Sequence, residues 1–129
     1  MTKSLRFWVL LVLQLCIPAV LYLLVGLYNG NGMELDYLLP NYLYMAFPHL
    51  LVSLLALWPR NRRPAILWVL SLLNMLLIVF KLWVMWVVTG RESGLAWIFY
   101  IPLWGTVLFV SAIIWLATRH KVYCPPADT

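Results

Sequence analysis

The chain is 129 residues long, 65% of them hydrophobic and 10% charged, against roughly 45–50% and 25% in soluble domains. A water-soluble fold of this length cannot cover so much apolar side chain, which excludes soluble enzymes, nucleic-acid readers and disordered tails. Nine Lys and Arg oppose four Asp and Glu; because these charges fall mostly between apolar runs, they read as membrane topology and not as affinity for nucleic acid.

Crossing roughly 30 Å of hydrocarbon takes about 20 mostly apolar residues in a helix. Four runs qualify, at about 7–28, 41–58, 65–88 and 95–118. The expected fold class is all-α: a polytopic membrane protein whose single domain, 1–129, is an antiparallel bundle of four transmembrane helices. Lys3 and Arg6 ahead of the first run resemble a secretory signal, but a signal's apolar core is about 7–15 residues and ends at a small-residue cleavage site. This run is longer and lacks the site, so it is expected to stay as a helix. The stretch Leu13-Gln14-Leu15-Cys16 has no small residue before its Cys and reads as helix interior.

The connection from Asn29 to Tyr37 opens with a flexible Asn-Gly pair and then alternates acids with apolar residues. Glu34, Asp36 and Tyr37 make it the natural outer contact surface. In the second run Pro40 sits where a first-turn proline is tolerated and Pro48 interrupts the interior. Pro59 to Pro64 carry Arg60, Arg62 and Arg63 in a tight loop, Thr89 to Gly94 form a second short connection, and short loops make neighbouring helices antiparallel. The tail from Tyr123 to Thr129 is expected to be disordered. Cys16 in the membrane and Cys124 in a reducing tail cannot pair; Cys124 is a juxtamembrane acylation candidate.

Lys and Arg near span ends stay cytoplasmic. Lys3 and Arg6, the three loop arginines, and Arg119 with Lys121 all fall on one side, whereas the other side holds Glu34, Asp36, Arg91 and Glu92. Both termini are therefore expected in the cytoplasm of a cell with this protein in its inner membrane. Trp8, Trp58, Trp68 and Trp115 fall near the inner face, and Tyr28, Tyr37, Tyr42, Trp83, Trp86 and Trp97 near the outer one, at the headgroup levels such rings favour.

Polar groups inside a span are costly and mark candidate sites. Here they are few: Gln14, His49, Asn74 and Lys81, with Tyr42, Ser53 and Ser71 beside them. A helix turns about 100° per residue, so Ser71, Asn74 and Lys81 share one stripe of the third span and Tyr42, His49 and Ser53 one stripe of the second. Folding these two spans as a hairpin, with Trp58 paired to Ala65, sets Tyr42 opposite Lys81, His49 opposite Asn74 and Ser53 near Ser71. A polar ladder is expected between them. No span contains Asp or Glu, so a buried Lys81 ammonium looks to Glu34 or Asp36, to Tyr42, or to an acid from a lipid phosphate, a ligand or another protein. Pro18, Pro48 and Pro102 each free a helix carbonyl, to be met by neighbours or a cavity.

Catalytic equipment is sparse. The two His lie at different depths, which excludes a metal site and a bis-histidine haem, and no cofactor is expected. His49 and Ser53 are an i,i+4 pair without an orienting acid. Length and the four-span plan resemble small multidrug transporters and fluoride channels in size, but the intramembrane Glu of the first and the Asn and Phe signature of the second are missing. The expectation is a small non-enzymatic inner-membrane protein acting through contacts in the bilayer with a membrane-protein partner, as an accessory or assembly subunit or an immunity-type protein. The alternative is a homo-oligomeric transporter or ion pathway lined by His49, Asn74 and Lys81.

Overall fold

The computed structural model describes residues 3–30, 35–58, 63–87 and 93–121, with side chains at 4–30, 35–58, 63–87 and 95–117. Within them lie helices α1 (Lys3–Tyr28), α2 (Leu38–Leu55), α3 (Pro64–Val87) and α4 (Ser93–Lys121), with a 3₁₀ turn at Leu35–Tyr37 leading into α2. Among the described residues there is no strand. All four helices are long and apolar enough to cross a membrane, the make-up of a multi-pass membrane protein. Glu34, Arg60, Arg62, Arg91, Glu92 and the tail from Tyr123 to Thr129 with Cys124 lie outside the described residues.

The second helix lies about three residues earlier than the sequence suggests, and prolines explain both ends. Pro40 is still in its first turn, where a missing N–H breaks nothing. At the other end, Trp58 precedes Pro59, and a residue before proline is pushed out of the helical region. The chain tightens there: Ala56, Leu57 and Trp58 each donate their N–H three residues back, to Ser53, Leu54 and Leu55.

The buried residues of α3 include Ile66, Leu70, Leu73, Leu77, Phe80 and Val84, alternating steps of four and three. That is a heptad seam, the spacing of left-handed helix packing. On α2 the buried set is Met45, Ala46, Pro48, His49 and Val52, and Ala46 and Ala56 are wholly covered. Small residues let backbones approach closely, the main source of packing energy when lipid surrounds the helices. One core cluster joins Leu11, Val52 and Ala56 to Ile66, Leu70 and Leu73. A second joins Met45 to Leu77, Phe80, Val84, Ala96 and Tyr100. In α2 and α3 33% of the most apolar window is buried, against 11% in α1 and α4, so the middle helices form the centre of the bundle. The outer helices turn large apolar side chains such as Leu13, Leu24, Ile98 and Phe109 outward, as a lipid-facing surface requires.

Candidate functional site: a polar joint at two buried prolines

Pro18 and Pro48 are among the most deeply buried residues of the chain. Proline at position 18 has no N–H to give the carbonyl of Gln14, four residues back. In hydrocarbon that carbonyl must find another donor. It does: the Asn74 side-chain amide reaches across from α3 and donates to Gln14 O at 3.1 Å. The adjoining carbonyl, Leu15 O, accepts the hydroxyl of Tyr42 from α2 at 3.0 Å. Pro48 frees Tyr44 O by the same rule, and there it is the next carbonyl, Met45 O, that accepts the hydroxyl of Tyr100 from α4 at 3.4 Å, while the Tyr44 hydroxyl donates to Trp97 O at 3.1 Å. Helices interrupted by proline are thus stitched to their neighbours at the point of interruption.

Asn74 is the joint of this arrangement. Its amide nitrogen also donates to Gln14 Oε1 at 2.6 Å, so its Oδ1 is left for His49, whose Nε2 lies 2.9 Å away. Nε2 therefore carries the hydrogen, and His49 is held as the tautomer with Nδ1 bare. Gln14 in turn donates from Nε2 to Ser71 Oγ at 2.8 Å, and Ser71 donates to Leu67 O at 3.0 Å. Every bond in the chain points the same way, from His49 through Asn74, Gln14 and Ser71 to a backbone carbonyl, an order in which each bond polarises the next. The head of the chain is incomplete: His49 is fully buried and its Nδ1 has no partner.

Not every expected pairing is present. His49 and Asn74 meet, but Ser71 bonds Gln14 of α1 and not Ser53, because Ser53 turns back on its own helix and donates to His49 O at 2.8 Å. Tyr42 does not face Lys81: its hydroxyl goes to α1, whereas Lys81 goes to α4. The two ends of each stripe diverge across a helix that has different neighbours on its two sides. Among the described residues no three His, Cys, Asp or Glu gather as metal ligands.

The Lys81 ammonium lies over the ring of Trp97, 4.5 Å from its centroid. Trp97 is itself held edge-on by Phe80 at 5.2 Å, Tyr100 at 5.6 Å and Tyr44 at 5.7 Å. A cation on an indole face gains about 0.5–1 kcal/mol when exposed and about 2 when desolvated, and Lys81 stands between these limits. It remains a half-buried charge, and among the described residues no acid pairs with it; Asp36 is exposed.

Gln14 is the member the sequence reading left unplaced. The signal was available: its carbonyl is the one Pro18 frees, so a polar residue four before a buried proline marks a demand for donors. Tyr42→Phe tests the second stitch. Loss of its single bond is expected to cost about 0.6 kcal/mol, the average for interhelical hydrogen bonds in membranes, read as a small fall in the unfolding midpoint in detergent.

Comparison of the chain with protein-family models, with curated proteins and with solved structures finds no match.

Proposed function

We propose that this chain is a non-enzymatic inner-membrane protein, an antiparallel bundle with both termini cytoplasmic, that works by contact within the bilayer with another membrane protein, as an accessory or assembly subunit or an immunity-type protein. The observation that carries this reading is Lys81: a half-buried ammonium seated on Trp97 and without an acid among the described residues. A charge in a span is retained where it pairs or marks a pathway. A second copy of this chain offers no intramembrane Asp or Glu, so the complementary group belongs to a different protein, as a carboxylate on a helix that packs along α3 and α4.

The polar ladder supports the same reading. Apart from the bare Nδ1 of His49, its donors and acceptors are taken up by one another, which suits a rigid scaffold better than a channel wall. Three clefts among the described residues, lined at Val52 and Leu108, at Leu24 and Trp86, and at Leu15 and Tyr42, leave His49, Asn74 and Lys81 untouched. The test is gentle extraction from the native membrane followed by identification of co-extracted proteins. A second polypeptide with an acidic residue in a span supports the reading, and recovery of this protein alone or only with itself overturns it.

One observation favours a proton pathway as a second reading: the bare, buried Nδ1 of His49 at the head of a one-way hydrogen-bond chain. Vesicles reconstituted with the protein would then pass protons, and His49→Phe would stop them. Wild-type vesicles as tight as empty ones would remove this alternative.

A further inference from the structure

At the end of the bundle that carries the arginine loop, the last turns of α2 and α4 and the first turns of α3 come together, with Val52 and Leu55 of α2 on one side. There α3 and α4 present small residues, Ala65, Ser111 and Ala112, and a cleft of about 310 Å³ opens between them. Its walls include Val52, Ile66, Val69 and Leu108. The volume falls in the range of small-molecule sites, roughly 300–1,000 Å³, and walls this apolar hold no water of their own. Trp68 and Trp115 also border the cleft, and such rings favour the headgroup level.

The charges nearby say what fills it. Arg63 stands two residues before Ala65, and its carbonyl accepts the first-turn N–H of Ile66, which puts it at the N-terminus of α3. A cation is electrostatically misplaced there, because a helix N-terminus favours an anion. The sequence adds Arg60 and Arg62 in the same connection, and Arg119 one helical turn beyond Trp115. Three of the four acids, Glu34, Asp36 and Glu92, belong to connections at the other ends of α2 and α3. An arginine beside an apolar slot between helices matches a lipid with an anionic head.

We propose that this cleft is a binding site for one anionic phospholipid, with an acyl chain between α3 and α4 and the phosphate at Arg63 and the start of α3. The site is independent of Lys81, which lies in the last two turns of α3.

The test presents the intact protein in detergent with phosphatidylglycerol and phosphatidylcholine of identical acyl chains and counts retained lipids by native mass spectrometry. One phosphatidylglycerol is expected to be kept in preference to phosphatidylcholine. Arg63→Gln should weaken its retention about fivefold, the loss expected for one basic residue at a membrane surface. Ala112→Trp, which fills the cleft without altering charge, should abolish retention; should that variant fail to fold by circular dichroism, Ser111→Leu fills the same space. Equal retention of the two lipids by the wild type overturns the proposal. So does phosphatidylglycerol binding that survives a folded cleft-filling variant, for the lipid would then be held on the surface by charge alone.

Discussion

Lys81→Leu is expected to reduce recovery of the co-extracted partner by about 30-fold or more, because truncating one member of a buried charge pair costs roughly 2–5 kcal/mol. The same change is expected to act in the opposite direction on the protein alone. A lysine at the centre of a span is unfavourable by about 2.5–3.5 kcal/mol and Lys81, in the last two turns of α3, by part of that, while the indole ring beneath it returns between about 0.5 and 2. Leucine removes both terms, so the unfolding midpoint of the isolated protein should rise, by the equivalent of about 1 kcal/mol. Opposite signs for association and for stability are the mark of a residue kept for a partner. A variant that unfolds more easily and still brings its partner through extraction would show that Lys81 serves the bundle itself.

Asn74→Leu should be the most damaging single change to the fold, at about 2–4 kcal/mol. The side chain is 3% exposed, and it satisfies Gln14 O, Gln14 Oε1 and His49 Nε2 at once. Leucine fills the space but leaves the carbonyl freed by Pro18 and the imidazole N–H without partners. Unpaired buried groups cost about 1–3 kcal/mol each in proteins, moderated in membranes because the unfolded reference also finds partners. Val79→Ala, at a lipid-facing position of the same helix, is the control, expected within about 0.5 kcal/mol of the wild type. Unfolding in mixed micelles followed by tryptophan fluorescence would measure both; equal midpoints would mean that the joint does not hold the helices together.

Composition alone makes the four helices legible, since runs of this length and apolarity have no other stable use. The contact between His49 and Asn74 was legible too, because a tight arginine loop leaves the α2–α3 hairpin little freedom of register. The place of Gln14 was not. Its helix joins α2 through a connection from Asn29 to Tyr37, long enough to allow several depths, so nothing in the sequence says which residue of α3 it meets. Lys81 was misdirected for another reason. Helical rotation shows which residues share a stripe, but the stripe of α3 is wide enough to face two neighbours, so Asn74 turns to α1 and α2 while Lys81 turns to the indole of α4.

The union of Gln14 with Asn74 also has a cost in time. These partners are 60 residues apart in the chain, and translation at about 5–20 residues per second separates their appearance by about 3–12 s. Throughout that interval the leading segment travels with an unanswered backbone oxygen and an idle carboxamide halfway along an otherwise greasy rod. Until the third segment emerges, the donors must come from water, a lipid headgroup, the insertion apparatus or the second segment. The biogenesis of this protein is therefore most vulnerable to interception before its last two segments have been made.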